Sequence, residues 1–178
     1  HYHFGQGIVA TPNDFGFNGD QPTHKKLIDW LATEFIAQGW KAKKLHKLIM
    51  LSNTYRQSSE LNKKAAEMDS ENRLLWRFSP RRLEGEAIRD SMLMVSGQLN
   101  PTLGGPGFRP FDIYINNNHF YKLTDPDGPE FNRRSVYRIV VRSGRDPLLK
   151  SFDCPDASAA APKRSVTTTP IQSLQLMN

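Results

Sequence analysis

Apolar residues recur at helical spacing in three separate stretches of this chain, with glycine and proline interrupting the sequence between them. The fold must therefore be assembled from short helices tied by long loops. The first stretch holds Leu27, Ile28, Leu31, Phe35 and Ile36, with Thr23 as its N-cap and Gly39 as its stop. The second begins near Ala42 and carries Leu45, Leu48 and Ile49 on one face. The short link between the two predicts a helical hairpin. The third spans about Arg82 to Leu99, with Ile88, Met92, Val95 and Leu99 in register. Gly85 falls inside it, at a cost of about 1 kcal/mol relative to alanine.

Around these stretches lie weaker signals. Residues 1–22 read as an irregular loop pinned by Phe4, Phe15 and Phe17, and residues 60–70 as a short helix after which 69–72 turn. Gly104-Gly105-Pro106-Gly107 and Asn116-Asn117-Asn118 belong to one long loop. Residues 136–141 are β-branched and aromatic enough for a short strand. A last helix starts with Thr169 as N-cap, Pro170 as its first residue and Gln172 as the capping-box partner. The expected fold is mainly α, a helical hairpin plus a third long helix with long ordered loops and room for a short strand pair. Residues 1–178 are expected to form a single domain fragment.

Composition closes off several chemistries. The lone cysteine, Cys154, leaves no internal disulfide, no CxxCH haem attachment and no multi-cysteine metal site within the chain. No cofactor is therefore expected in it. No apolar run approaches the roughly 20 residues that span a bilayer. There is no G-x-S-x-G elbow and no P-loop, so serine-nucleophile and ATP chemistry are set aside. The formal net charge of +6 favours acidic partners without identifying one.

Several segments, in order, resemble a known family. They include His3-Phe4-Gly5-Gln6-Gly7, Thr11-Pro12-Asn13-Asp14-Phe15-Gly16, Leu27-Ile28-Asp29-Trp30-Leu31-Ala32 and Ser52-Asn53-Thr54-Tyr55-Arg56-Gln57-Ser58. Arg81-Arg82-Leu83-Glu84, Glu86-Ala87-Ile88-Arg89-Asp90, Arg133-Arg134-Ser135-Val136-Tyr137, Phe152-Asp153-Cys154-Pro155-Asp156 and Thr167-Thr168-Thr169-Pro170-Ile171-Gln172 continue the match. The pattern resembles the PSD1 family of bacterial domains of unknown function (DUF1553), abundant in planctomycetes. Gly85 stands where that resemblance implies alanine, which would loosen the third helix. The resemblance implies an exported, extracytoplasmic multidomain protein, with cytochrome-c-like modules and a sister domain as partners and a link to polysaccharide utilisation. It also implies a preceding helix and following helices beyond the two ends of the sequence. It assigns no catalytic residue.

Four polar clusters are candidates for function. Arg82, Glu86, Arg89 and Asp90 sit at i, i+4, i+7 and i+8 of the third helix, so they share one stripe. They form either a carboxylate–guanidinium site, with Glu86 or Asp90 as general acid or base, or an intrahelical ion-pair ladder. Asp153 and Asp156 lie in a proline-stiffened loop, where they either bind Arg133, Arg134 and Arg164, hold a cation or act in acid–base chemistry, or else cap turns. Asp125-Pro126-Asp127-Gly128-Pro129-Glu130 has part of a calcium-loop pattern but lacks its distant glutamate. His1, His3 and His24 with Asp14 are the residue types a transition metal takes, and packed histidines account for them as well. No metal ligand is assigned.

Lys41, Lys43, Lys44 and Lys47 crowd the start of the second helix, the wrong pole of its dipole for cations. They read as a solvated face or as a surface for acidic or sulfated polysaccharide. Nucleic acid is disfavoured, since no binding motif accompanies the charge. Two functions stay open. One is a scaffold or interaction module linked to polysaccharide utilisation. The other is an enzyme on acidic or sulfated polysaccharide using Glu86, Asp90, Arg89, Asp153 and Asp156.

Overall fold

A computed structural model describes residues 1–124, 126, 128–141 and 144–177. These divide into two compact units, His1–Arg81 and Arg82–Asn178. The calcium-like stretch includes Asp125 and Asp127, so that reading lies outside the described residues.

In the first unit, α1 (Lys25–Ala37) and α2 (Ala42–Leu51) pack on each other, followed by the short α3 (Asn53–Arg56) and α4 (Lys63–Met68). The cap of α1 falls on His24, one residue later than expected. Thr23 instead turns its hydroxyl to the Ile8 carbonyl and to His24. Gly39 does end the helix. The Trp40 amide reaches back to the Phe35 carbonyl and the Gly39 amide to that of Ile36, and the two aromatic rings meet edge to face at 5.3 Å. That is a Schellman cap with its hydrophobic clasp. Ser52 and Asn62 cap α3 and α4 through their side chains. Phe4, Tyr55 and Phe78 form an aromatic cluster with ring centres 5.2 to 6.3 Å apart, Tyr55 meeting each phenylalanine edge to face. Neither α1 nor α2 has a buried residue.

The second unit begins with α5 (Gly85–Val95), then a hairpin of β1 (Phe111–Asn116) and β2 (Asn118–Leu123). A 3₁₀ turn at Ser135–Tyr137, α6 (Pro147–Ser151) and α7 (Pro170–Met177) complete it. The hairpin is antiparallel, with Tyr114 opposite Phe120 and Asn116 opposite Asn118. Asn117 makes the turn at φ 57°, a conformation asparagine accepts more readily than most residues. Ile88, Phe108, Phe111, Leu149 and Phe152 are buried here, and Pro110 is fully enclosed.

The expectation of a mainly α chain is corrected by this architecture. With 35% of residues helical and 9% in strands, it is mixed, seven helices beside a two-stranded sheet among the described residues. Two physical causes account for the difference. The third helix is shorter than its apolar periodicity, because Glu84 is extended (ψ 152°) and Gly97 closes the far end at φ 73° with a second Schellman pattern. The strand pair also forms elsewhere. Residues 135–137 turn instead of extending, and Phe111–Leu123, read as part of a long loop, supply the sheet. Gly85 is the first residue of α5 and not an interior one. A Cβ there would come within 3.1 Å of the Phe152 Cβ, so glycine at this position admits close packing of α6.

Candidate functional site

The polar stripe of the third helix is not a stripe. Arg82 precedes α5, Glu86 faces Arg164, and Arg89 and Asp90 both turn to the segment around Ser135. Glu86 accepts two bonds from the Arg164 guanidinium, at 2.6 and 2.8 Å, and the Cys154 thiol lies 3.6 Å from it. Arg164 also approaches Glu84 at 3.6 Å. This bidentate pair holds the Glu86 carboxyl below its usual range, against the opposing effect of burial, and raises the guanidinium. Burial, and then the neighbouring Glu86 carboxylate, push the Cys154 thiol up, which is the opposite of what a nucleophile needs.

Asp153 is the hub of a second cluster. Its carboxylate receives Arg82 at 2.5 Å and both the amide and the hydroxyl of Thr167 at 2.8 Å. Burial works against ionisation, yet the Thr167 bonds and Arg82 outweigh it, and the carboxyl titrates below its ordinary value. Arg82 also donates to the Thr167 carbonyl and to Gln172 Oε1, the latter at 2.8 Å. Gln172 is 5% exposed and donates to the Ser151 carbonyl at 2.9 Å. It closes the expected capping box with Thr169 as well: the Thr169 amide bonds Gln172 Oε1 at 3.1 Å, and the Gln172 amide returns to Thr169 Oγ1 at 3.4 Å.

The remaining candidates are also engaged. Asp90 accepts the Ser135 amide at 2.7 Å, with Arg134 at 3.5 Å and Arg89 at 3.9 Å. Arg89 donates to the Phe131 and Arg133 carbonyls at 2.8 and 2.9 Å. Asp156 pairs with Arg145 and accepts the Ser158 amide. Arg133 does not approach Asp153 or Asp156. It donates to the carbonyls of Thr102, Gly104 and Pro106. The structure thus brings Asp153 to Arg82 and Glu86 to Arg164, and it leaves Asp90 and Asp156 to separate partners. Sequence reasoning missed Gln172 as a hub, Thr167, and the Arg138–Asp146 pair at 2.5 Å. Only the capping box gave any signal for Gln172.

The pH dependence follows from the two depressed carboxyls and from His3, whose ring is held below its ordinary value by burial and by His46 beside it. Each has a folded pKa below its unfolded one, so each stabilises the fold above the unfolded value and loses that contribution as pH falls through the folded one. The ordinary values are 4.5 for Glu86 and 3.8 for Asp153. Thermal melts from pH 7 down to about 2 should therefore slope down gently from about pH 6.5, where the unfolded chain protonates His3, and show a second decline from about pH 4.5, where the carboxyls begin to titrate. In E86Q the upper part of that decline should flatten.

His1, His3, His24 and Asp14, read as either a metal's residue types or packed histidines, belong to no cluster that could hold a metal ion among the described residues. His3 shares a 2.8 Å ring hydrogen bond with His46, His24 contacts Thr23, and Asp14 accepts the Gly16 amide. Lys43, Lys44 and Lys47 are exposed along α2, and Lys44 and Lys47 line an open apolar groove of about 780 Å³ within the first unit. A cavity of about 40 Å³ in the second unit reaches Cys154 and Asp156 but neither Glu86 nor Asp90. It has room for a water or two and not for a sugar. Among the described residues no helix is long and apolar enough to cross a membrane.

Comparison with known proteins gives one result that covers the whole sequence. No curated protein and no solved structure matches the chain. The family model for PSD1, a protein of unknown function (DUF1553), matches residues 1–178. The same segments that carry the Arg82–Asp153 and Glu86–Arg164 pairs fall within that match, and the chain belongs to the PSD1 (DUF1553) family.

Proposed function

We propose that this chain is a scaffold or interaction module of an exported multidomain protein linked to polysaccharide utilisation, and that its carboxylates do not perform catalysis. One observation carries the reading. Glu86, Asp90, Asp153 and Asp156 are each bound by an arginine and by neighbouring donors, and they do not converge on a common concavity. General acid–base work on a glycan needs two carboxyls flanking one bond, with one pKa raised. Here Glu86 and Asp153 are both held below their ordinary values, and the donors are spent on holding loops. The partner in this reading is an acidic or sulfated polysaccharide, met by Lys43, Lys44 and Lys47 on the exposed side of α2.

The test sets stability against turnover. E86Q breaks a charge-assisted bidentate pair and should lower stability by about 1–3 kcal/mol in denaturant titration. Neither parent nor variant should release new reducing ends from sulfated or carboxylated polysaccharides. Turnover by the parent, lost in a variant of unchanged stability, overturns the scaffold reading. Retention on a sulfated-polysaccharide column should vanish in K43E/K44E/K47E and fall with salt, as the Debye length shrinks from about 10 Å at 0.1 M to about 3 Å at 1 M. Retention that ignores both leaves the lysines as a solvated face.

A further inference from the structure

Two packed helices that bury none of their own side chains leave their apolar stripes in want of a third element. Leu27, Trp30 and Leu31 of α1 and Leu48 and Ile49 of α2 line the groove of about 780 Å³, and Trp30 is 48% exposed. Leu51 of α2 extends the apolar wall and is 60% exposed. Exposed apolar surface rimmed by polar residues is the usual mark of a protein partner.

The charge on the rim narrows the choice. Lys44, Lys47 and Arg73 line the groove, and among the described residues no aspartate or glutamate does. Lys43, one residue from Lys44, is outside the lining. A repeating surface anion would use all three lysines alike, whereas an occupant of the groove meets only Lys44 and Lys47. We infer that the groove docks an amphipathic α-helix of a partner protein, its apolar stripe laid against Leu27, Trp30 and Leu48 and its acidic flank set against Lys44, Lys47 and Arg73. Helix-in-groove recognition takes apolar anchors at i, i+3, i+4 and i+7, and the apolar walls of α1 and α2 offer the complementary surface. Charge complementarity then fixes which way the helix lies and excludes basic helices. This rests on the interaction-module reading and names its partner, without needing the polysaccharide.

The test uses the full chain and three fluorescein-labelled peptides of fifteen residues. One carries leucines at i, i+3, i+4 and i+7 with glutamates flanking them. The second replaces those glutamates with lysines. The third scrambles the first, keeping its charge but losing the stripe. Fluorescence anisotropy should show the acidic amphipathic peptide binding at least tenfold more tightly than either of the others, with a blue shift in Trp30 emission that W30F removes. K44E/K47E should reverse the preference between acidic and basic peptides, and K43E should leave it unchanged. Should the charge reversal unfold the chain, K44Q/K47Q reads the same contact as a weakened acidic preference. Equal binding of the scrambled peptide means charge alone is read, which overturns the helix and leaves the polysaccharide surface standing. Failure of all three peptides to bind overturns it too. Neither failure touches the scaffold reading, which falls only on glycan turnover.

Discussion

Asp153→Ala should lower stability by about 3–4 kcal/mol, more than a surface charge in a loop would suggest. Among the described residues the carboxylate is the only acceptor for the Thr167 amide and hydroxyl, and it also neutralises Arg82. Removing it leaves the part-buried guanidinium without its counter-charge, with only the Thr167 carbonyl and Gln172 Oε1 to bond among the described residues. A second cost comes from the backbone. Asp153 sits at φ 60°, where alanine is strained by roughly 1–2 kcal/mol and asparagine much less. Asp153→Asn should therefore cost only about 1–2 kcal/mol, since it keeps one acceptor and tolerates the conformation. Denaturant titration of the two variants separates charge from strain. If alanine and asparagine cost the same, the left-handed backbone contributes nothing. If both are neutral, the Arg82–Asp153–Thr167 cluster does not hold the loop to the start of α7.

The distinction between Asp153 and the other carboxylates shows what the sequence could and could not convey. Helix existence was legible wherever apolar spacing and an end signal agreed, as in α1, α2 and α7. The glycine stop at Gly39 and the Thr169–Gln172 box follow from local chemistry alone, because both ends of each interaction lie within a few residues. The α5 stripe failed for the converse reason. Periodicity placed Arg82 on the same helical face as Glu86, but Arg82 precedes the helix and bonds Asp153, 71 residues away in sequence. Glu86 reaches Arg164 across 78 residues. Charge spacing along one helix cannot report partners that only tertiary folding supplies. The hairpin did leave a signal that was passed over. Phe111, Ile113 and Ile115 alternate with Asp112, Tyr114 and Asn116, the period-2 pattern of a strand, although only Phe111 of that face is buried. The three asparagines after them were read as loop, although one asparagine in the left-handed region is what closes the turn.

Arg133→Ala should prove at least as costly as the loss of Asp153, at about 4 kcal/mol, though Arg133 has no carboxylate partner among the described residues. It is 9% exposed, and its charge is met by main-chain dipoles: the Pro106, Gly104 and Thr102 carbonyls at 2.7, 2.5 and 3.2 Å. Its guanidinium also lies 3.9 Å from the centre of the Tyr137 ring. Bonds to a charged donor are worth about 1.5–3 kcal/mol each, and a desolvated cation–π contact about 2. These do not add fully, because the desolvation of the charge is set against all of them. The consequence is local before it is global. Residues 102–107 hold three glycines, and Arg133 is what gathers their carbonyls, with the Tyr137 hydroxyl accepting the Gly104 amide at 2.7 Å. Arg133→Ala should therefore expose that loop to limited proteolysis at protein concentrations where the parent resists. Arg133→Lys should fail to restore protection, because an ammonium cannot fork to three carbonyls while lying flat on a ring. Full protection in the lysine variant would mean that charge alone, without the planar fork, orders the loop. Unchanged stability in the alanine variant would mean that the loop is held by the 3₁₀ turn at Ser135–Tyr137 without its arginine.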